Sequence, residues 1–171
     1  MRRTVSTLAL GLIGAVGVAA VATSCGSDST GVTSKTYVAA NMNAAAEGGN
    51  PPFTSAGSGT VTFVDLGTEI TWSMNLTNMT GVRVSHIHLG DANANANPGN
   101  TPGAVIINLF LPNGDTGLLN GEVAHGSITN ANNANVSLDS LRVLFNNGHA
   151  YANVHTAAHP GGEIRAQIAP Q

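Results

Sequence analysis

Two histidines, His86 and His88, stand two residues apart in the run Val82–Leu89 (VRVSHIHL), whose alternation of residue types is that of a strand. Side chains two apart on a strand project from the same face about 6.5 to 7 Å along it, a span that two imidazoles can close onto one ion. The run His149–Thr156 places Tyr151, Asn153 and His155 on one face, and the run Glu163–Ile168 places Glu163, Arg165 and Gln167 together. The segment between them, AAHPGG, reads as a hairpin turn that brings His155 near Glu163. If the histidine pair lies alongside, then His86, His88, His155 and Glu163 gather on one polar face beside Asn153 and Arg165. Three imidazoles and a carboxylate form a donor set for zinc or copper. The same groups also suit a hydrogen-bonded polar patch that holds no ion, and spacing leaves both readings open. His125, His149 and His159 fall near turns or strand ends and read as surface residues.

Other chemistries lack their motifs. The chain has no G-x-S-x-G elbow, no phosphate-binding glycine loop and no H-E-x-x-H helix, and its one cysteine lies outside any such constellation. Six Lys and Arg, scattered singly, and a net charge of -3 exclude the basic stripe that nucleic acid requires. One tryptophan and a 4% aromatic fraction argue against a stacking platform. Charged residues are only 9% of the chain, against roughly 25% in an average soluble domain, while 42% are hydrophobic. That balance excludes a disordered solvating chain and predicts a packed core.

The elements that must position the polar face are strands. Alternating runs punctuated by Gly, Asn and Pro predict strands over 36–43, 59–65, 69–76, 82–89, 104–110, 122–128, 149–156 and 163–168. Such a series predicts an all-β fold, a Greek-key-like β-sandwich or small barrel of about eight strands. The segment 136–147 (VSLDSLRVLFNN) carries apolar residues at helical spacing and is followed by Gly148, which predicts one short helix. Residues 44–57 and 90–103 read as long loops. By strand alternation Val154 and Ile164 face the core, and Gln167 faces solvent.

The chain opens with Met1-Arg2-Arg3 and an uncharged apolar run over 8–21, the grammar of a secretory signal and shorter than a spanning helix. Small residues then lead into Cys25, as in a bacterial lipobox. The expected organisation is a lipoprotein-type signal peptide over 1–24, a flexible tether over 25–35 and a β domain over 36–168. Cys25 is then the lipidated first residue of a protein exported to the bacterial cell envelope, with the outer membrane a candidate destination.

The ordered pieces Ser85-His-Ile-His88, Tyr151-Ala-Asn-Val-His-Thr156 and Pro160-Gly-Gly-Glu-Ile-Arg165, with Gly57-Ser-Gly59 upstream, resemble the CHRD domain, first named from chordin. The resemblance covers roughly 36–168. It implies an all-β extracytoplasmic domain and no particular chemistry. Ala166 and Leu89 depart from it, each standing where the family commonly has Gly. A fainter likeness joins the His-x-His strand to copper/zinc superoxide dismutase, but the disulfide cysteines and a second set of metal ligands are missing, so no activity is carried over. The expected function is therefore a lipid-anchored envelope module that binds or builds rather than catalyses. Its partners are the membrane, through Cys25, and an unidentified protein or small ligand. The competing reading is a zinc- or copper-binding protein or metalloenzyme using His86, His88 and His155. The lipobox makes a direct prediction: fatty-acid labelling should mark the wild-type chain, and Cys25→Ala should lose the label and accumulate as unprocessed or soluble protein.

Overall fold

Phe63 faces Tyr37 on one neighbouring strand and Trp72 on the other, and all three side chains are buried. This pattern of inward aromatic and aliphatic residues, repeated strand by strand, closes the sheet around its core. The computed structural model describes residues 33–48, 52–90, 103–114 and 116–171. The expected signal peptide, Cys25, most of the tether and residues 91–102 of the long loop lie outside the described residues.

Eight strands form in the order β1 (Lys35–Met42), β2 (Ser58–Asp65), β3 (Ile70–Met79), β4 (Val82–Leu89), β5 (Val105–Phe110), β6 (Leu119–Ile128), β7 (Ala150–Thr156) and β8 (Ile164–Pro170). Every ladder is antiparallel, and the spatial order is β5-β4-β7-β8-β1-β2-β3-β6. The edge strands β5 and β6 come into contact, so the sheet nearly closes into a barrel. After β4, β5 and β6, the chain returns to lay β7 against β4, which is a Greek-key connection. The all-β expectation holds, with each strand within a few residues of its expected place.

The inner face of the half containing the histidines is made by Ile87, Ala152 and Ala166, which lie in register across β4, β7 and β8, with Val154 and Ile164 beside them. A helix, α2 (Leu138–Asn147), buries Leu138, Leu141 and Phe145, the one-sided stripe of an amphipathic helix. Its Phe145 ring meets Tyr37 edge-on at 5.3 Å and Phe63 at 5.2 Å. Ser137 caps the helix by accepting from the Ser140 amide, and Gly148, in the left-handed conformation, ends it. Arg142 then forks onto Asp65 at 2.7 and 2.9 Å and reaches Asp139 at 2.7 Å. This two-pronged bond holds the Asp65 carboxyl below its usual range and ties the helix to the turn after β2.

Three expectations change. The segment 44–57 is not all loop: Asn43 caps a single turn, α1 (Ala44–Glu47), because its side chain satisfies the Ala46 amide and Gly48 stops the helix. The fold therefore has two short helices. Strand β7 does not have one wet face, since outward-facing Tyr151 and Asn153 are as buried as Ala152 and Val154. Gln167 is not a free surface group either. Its Nε2 donates toward the carbonyls of Gly90, Gly148 and Ala150, joining the ends of β4, α2 and β7. Ile164→Ala should therefore cost about 2 to 5 kcal/mol, and Gln167→Ala about 1 to 3 kcal/mol as part-buried carbonyls lose their donor. Urea denaturation measures both, and a Gln167→Ala loss under about 0.5 kcal/mol would contradict the clamp.

Candidate metal centre

The ladders bring the predicted residues together on the outer face of the sheet. His86 lies opposite Asn153, His88 opposite Tyr151, and Asn153 opposite Arg165. The β4–β5 ladder is irregular immediately before each histidine, between Ser85 and His86 and between Ile87 and His88. Such bulges re-aim side chains next to sites.

His86, His88 and His155 each offer a nitrogen within 4.8 Å of the other two. Nitrogens bound to one ion of zinc's size lie about 3.3 to 3.5 Å apart, given metal–nitrogen bonds of about 2.0 to 2.1 Å. His86 Nδ1 already stands 3.2 Å from His155 Nε2. Backbone carbonyls orient two of the rings: His155 Nδ1–H donates to Pro160 O at 2.9 Å, and His88 Nδ1–H donates to Gly103 O at 2.7 Å. Each bond turns the Nε2 lone pair toward the cluster, the tautomer a ligating histidine adopts. His88 Nε2 is buried and has no hydrogen-bond partner. His155 Nε2 accepts from Asn153 Nδ2 at 2.9 Å.

Burial keeps the rings neutral. His86 is held down to about 4, first by loss of solvent and then by the neighbouring His155 and His88. Burial likewise lowers His88 and His155. Neutral imidazole is the form that binds metal.

Around the triad lies a layer that spacing only partly revealed. Tyr151 stacks flat on His88, with ring centroids 5.0 Å apart and an interplanar angle of 5°. The Arg165 guanidinium stands over the Tyr151 ring at 4.1 Å. Glu47 reaches over Gly162, whose φ of +125° is a backbone conformation that favours glycine, and a Cβ there would displace the Glu47 carboxyl. Burial pushes the Glu47 carboxyl up to about 7 against the lowering influence of Arg165. Asn153 Oδ1, Arg165 Nη2 and Glu47 Oε2 are buried without partners. Glu47 lay in a presumed loop; its signal was the Asn43-to-Gly48 span, a cap, three alanines and a stop. The carbonyls of Pro160 and Gly103 carry no side-chain signature, so nothing in the residue types announced them.

Glu163 is placed elsewhere. Its carboxylate accepts from Ser55 Oγ and Thr156 Oγ1, and Thr156 belongs to the opposite face of β7 from His155. The described structure therefore brings together three of the four residues expected to share an ion and gives the fourth to the hairpin. Asn153 and Arg165 do join the histidines, as buried neighbours. His125 is exposed beside Glu122 at 2.9 Å, His149 is exposed, and His159 is half-buried and stacked on Phe53 at 3.9 Å.

The neutral histidines set a pH dependence. Unfolded histidine takes up a proton near 6.5 while native His86 resists until about 4, so stability is full above 6.5 and falls as pH drops through that window. Glu47 acts in the opposite sense between 4.5 and about 7, where the native carboxyl keeps a proton the unfolded chain has released. Thermal melts from pH 7.5 to 4.5 should show an acid loss that is shallower in His86→Gln and steeper in Glu47→Gln. Parallel curves for all three proteins would contradict these assignments.

Most motif residues now have a place: in Tyr151–Thr156 the stack, the amide, the core valine, the ligand candidate and the Glu163 partner, and in Pro160–Arg165 the orienting carbonyl, the glycine under Glu47 and the stacked cation. A model of the CHRD domain family matches residues 38–168. No curated protein and no solved structure matches the chain significantly. The match runs from within β1 into β8 and so contains β2 to β7 whole, most of β1 and β8, and all three clustered histidines. On that span the chain belongs to the CHRD domain family, a family of binding or structural modules.

Proposed function

We propose that the protein is a metal-binding module of the cell envelope, holding zinc or copper on His86, His88 and His155 and tethered by a lipid on Cys25. The observation that carries this reading is the set of three neutral imidazoles at ligand spacing, two of them oriented by backbone carbonyls, with a buried His88 Nε2 that has no partner. Asn153 Oδ1, Arg165 Nη2 and Glu47 Oε2 are unpartnered in the same patch, but His88 Nε2 is the one of these atoms that belongs to a ligand candidate, and leaving such an acceptor unpaired costs about 1 to 3 kcal/mol. An ion satisfies it. Binding displaces the Asn153 amide from His155 Nε2 and requires the rings to close by about an ångström, which side-chain rotation supplies.

Three protein ligands leave a coordination position open for water or a small ligand. Glu163 does not fill it in this arrangement, since it is engaged by two hydroxyls. The signal-like segment and the small polar stretch after Cys25 support export and tethering. The family match is compatible with a binding role.

Titration of the full chain with zinc and with copper at pH 7.5 should give saturable binding of one equivalent. His88→Ala should weaken it about 10-fold or more, since it removes a ligand rather than a supporting contact. A wild-type chain that binds neither ion, or a folded His88→Ala protein that binds as tightly as wild type, overturns the proposal.

A further inference from the structure

The donor set carries no charge, and the permanent charge beside it is positive. His86, His88 and His155 form the cluster without a carboxylate from any described residue. Glu163, eight residues after His155, is tied to Ser55 and Thr156, and Asp91, three residues after His88, lies outside the described residues. Arg165 is 5% exposed, stacked over Tyr151, which itself lies flat on the ligand candidate His88, and the charge of Arg165 is felt at that ring. A guanidinium is not deprotonated in proteins, so this cation is permanent. Glu47 is the carboxyl facing Arg165 among the described residues. It lies over Gly162, its Oε2 and Arg165 Nη2 are each buried without a hydrogen-bond partner, and burial holds its carboxyl protonated up to about 7, so below that pH it brings no compensating charge.

This arrangement discriminates by ionic charge. Repulsion from a fixed cation grows in proportion to the charge of the bound ion, and the cost of removing that ion from water grows with the square of its charge. Most protein sites for divalent ions offset both costs with anionic ligands, and here there are none among the described residues. A monovalent ion bears half the repulsion and a quarter of the desolvation. Copper is the metal that suits imidazole nitrogen and also has an accessible monovalent state.

We infer that the centre takes monovalent copper in preference to divalent zinc or copper, and that Arg165 is the residue that sets this preference. The inference rests on the metal-binding reading above. It makes Arg165 a specificity-determining residue that touches no ion, acting through space across the Tyr151 ring.

The test measures affinities of the full chain for monovalent copper, under anaerobic conditions with ascorbate and a chromophoric competitor, and for zinc and divalent copper by competition. Wild type should bind monovalent copper more tightly than zinc. Arg165→Gln should shift the ratio of monovalent to divalent copper affinity about 10-fold toward the divalent ion, which lowers the midpoint potential of the bound copper by about 59 mV. Arg165→Lys, which keeps the charge, should retain the wild-type potential. If Arg165→Gln does not fold, the wild-type comparison and the Lys variant still decide. Zinc bound as tightly as monovalent copper, or a folded Arg165→Gln protein with an unchanged potential, overturns the selectivity. No binding of any ion overturns the metal reading itself, and the two failures are thereby distinguishable.

Discussion

Strand β7 is hydrogen-bonded on both sides, to β4 and to β8, and is buried on both faces. That constraint governs the rest of the site. An interior strand buried on one face can send polar side chains to water from the other, but Tyr151 and Asn153 have no water to reach. Their polar atoms must be met by neighbours or carry the cost of being unmet. The neighbours are supplied by the adjoining strands and by α1. His86 and His88 come from β4, Arg165 comes from β8, and Glu47 comes from the single turn that Asn43 caps.

The hairpin between β7 and β8 is held from within as well as by its ladder. Thr156 and Ser55 grip Glu163 on one side, and Pro160 turns its carbonyl back to His155 on the other. The same hairpin thus closes the end of the sheet and aims a ring nitrogen. A short motif with both duties tolerates few substitutions, because a change that frees the turn also frees the ligand. Gly162 shows the coupling most directly. Any side chain there would push the Glu47 carboxyl aside and would also have to adopt a backbone conformation that only glycine occupies easily.

Electrostatics at the site run against the usual expectation for a histidine cluster. Three imidazoles in water would share protons near neutrality, but burial and mutual repulsion make charging costly, so the rings are uncharged donors. The permanent positive charge sits one ring away, on Arg165. Tyr151 is the spacer between them, offering one π face to the imidazole and interacting with the guanidinium through its ring. The layer couples three strands through stacked planes, a geometry that individual hydrogen bonds would not enforce.

By itself the sequence determined the strands, because a period of two in apolar residues has one physical meaning over runs of this length. It also determined α2, whose stripe of Leu138, Leu141 and Phe145 and stop at Gly148 are local signals, and the shared face of His86 and His88, which follows from the pleat. The family motifs were legible for the same reason: they are contiguous. What the tertiary structure decided was everything that depends on which strands are neighbours and what covers them. Alternation assigns a residue to a face but not that face to water, so Gln167 was read as solvent-facing although it bonds three carbonyls. Alternation also assumes an unbroken strand. β8 begins at Ile164, and the turned backbone at Gly162 swings Glu163 out of the histidine face toward Thr156. Finally, the carbonyls of Gly103 and Pro160 and the carboxyl of Glu47 reach the site from loops and a single helical turn, where backbone path rather than residue type sets position.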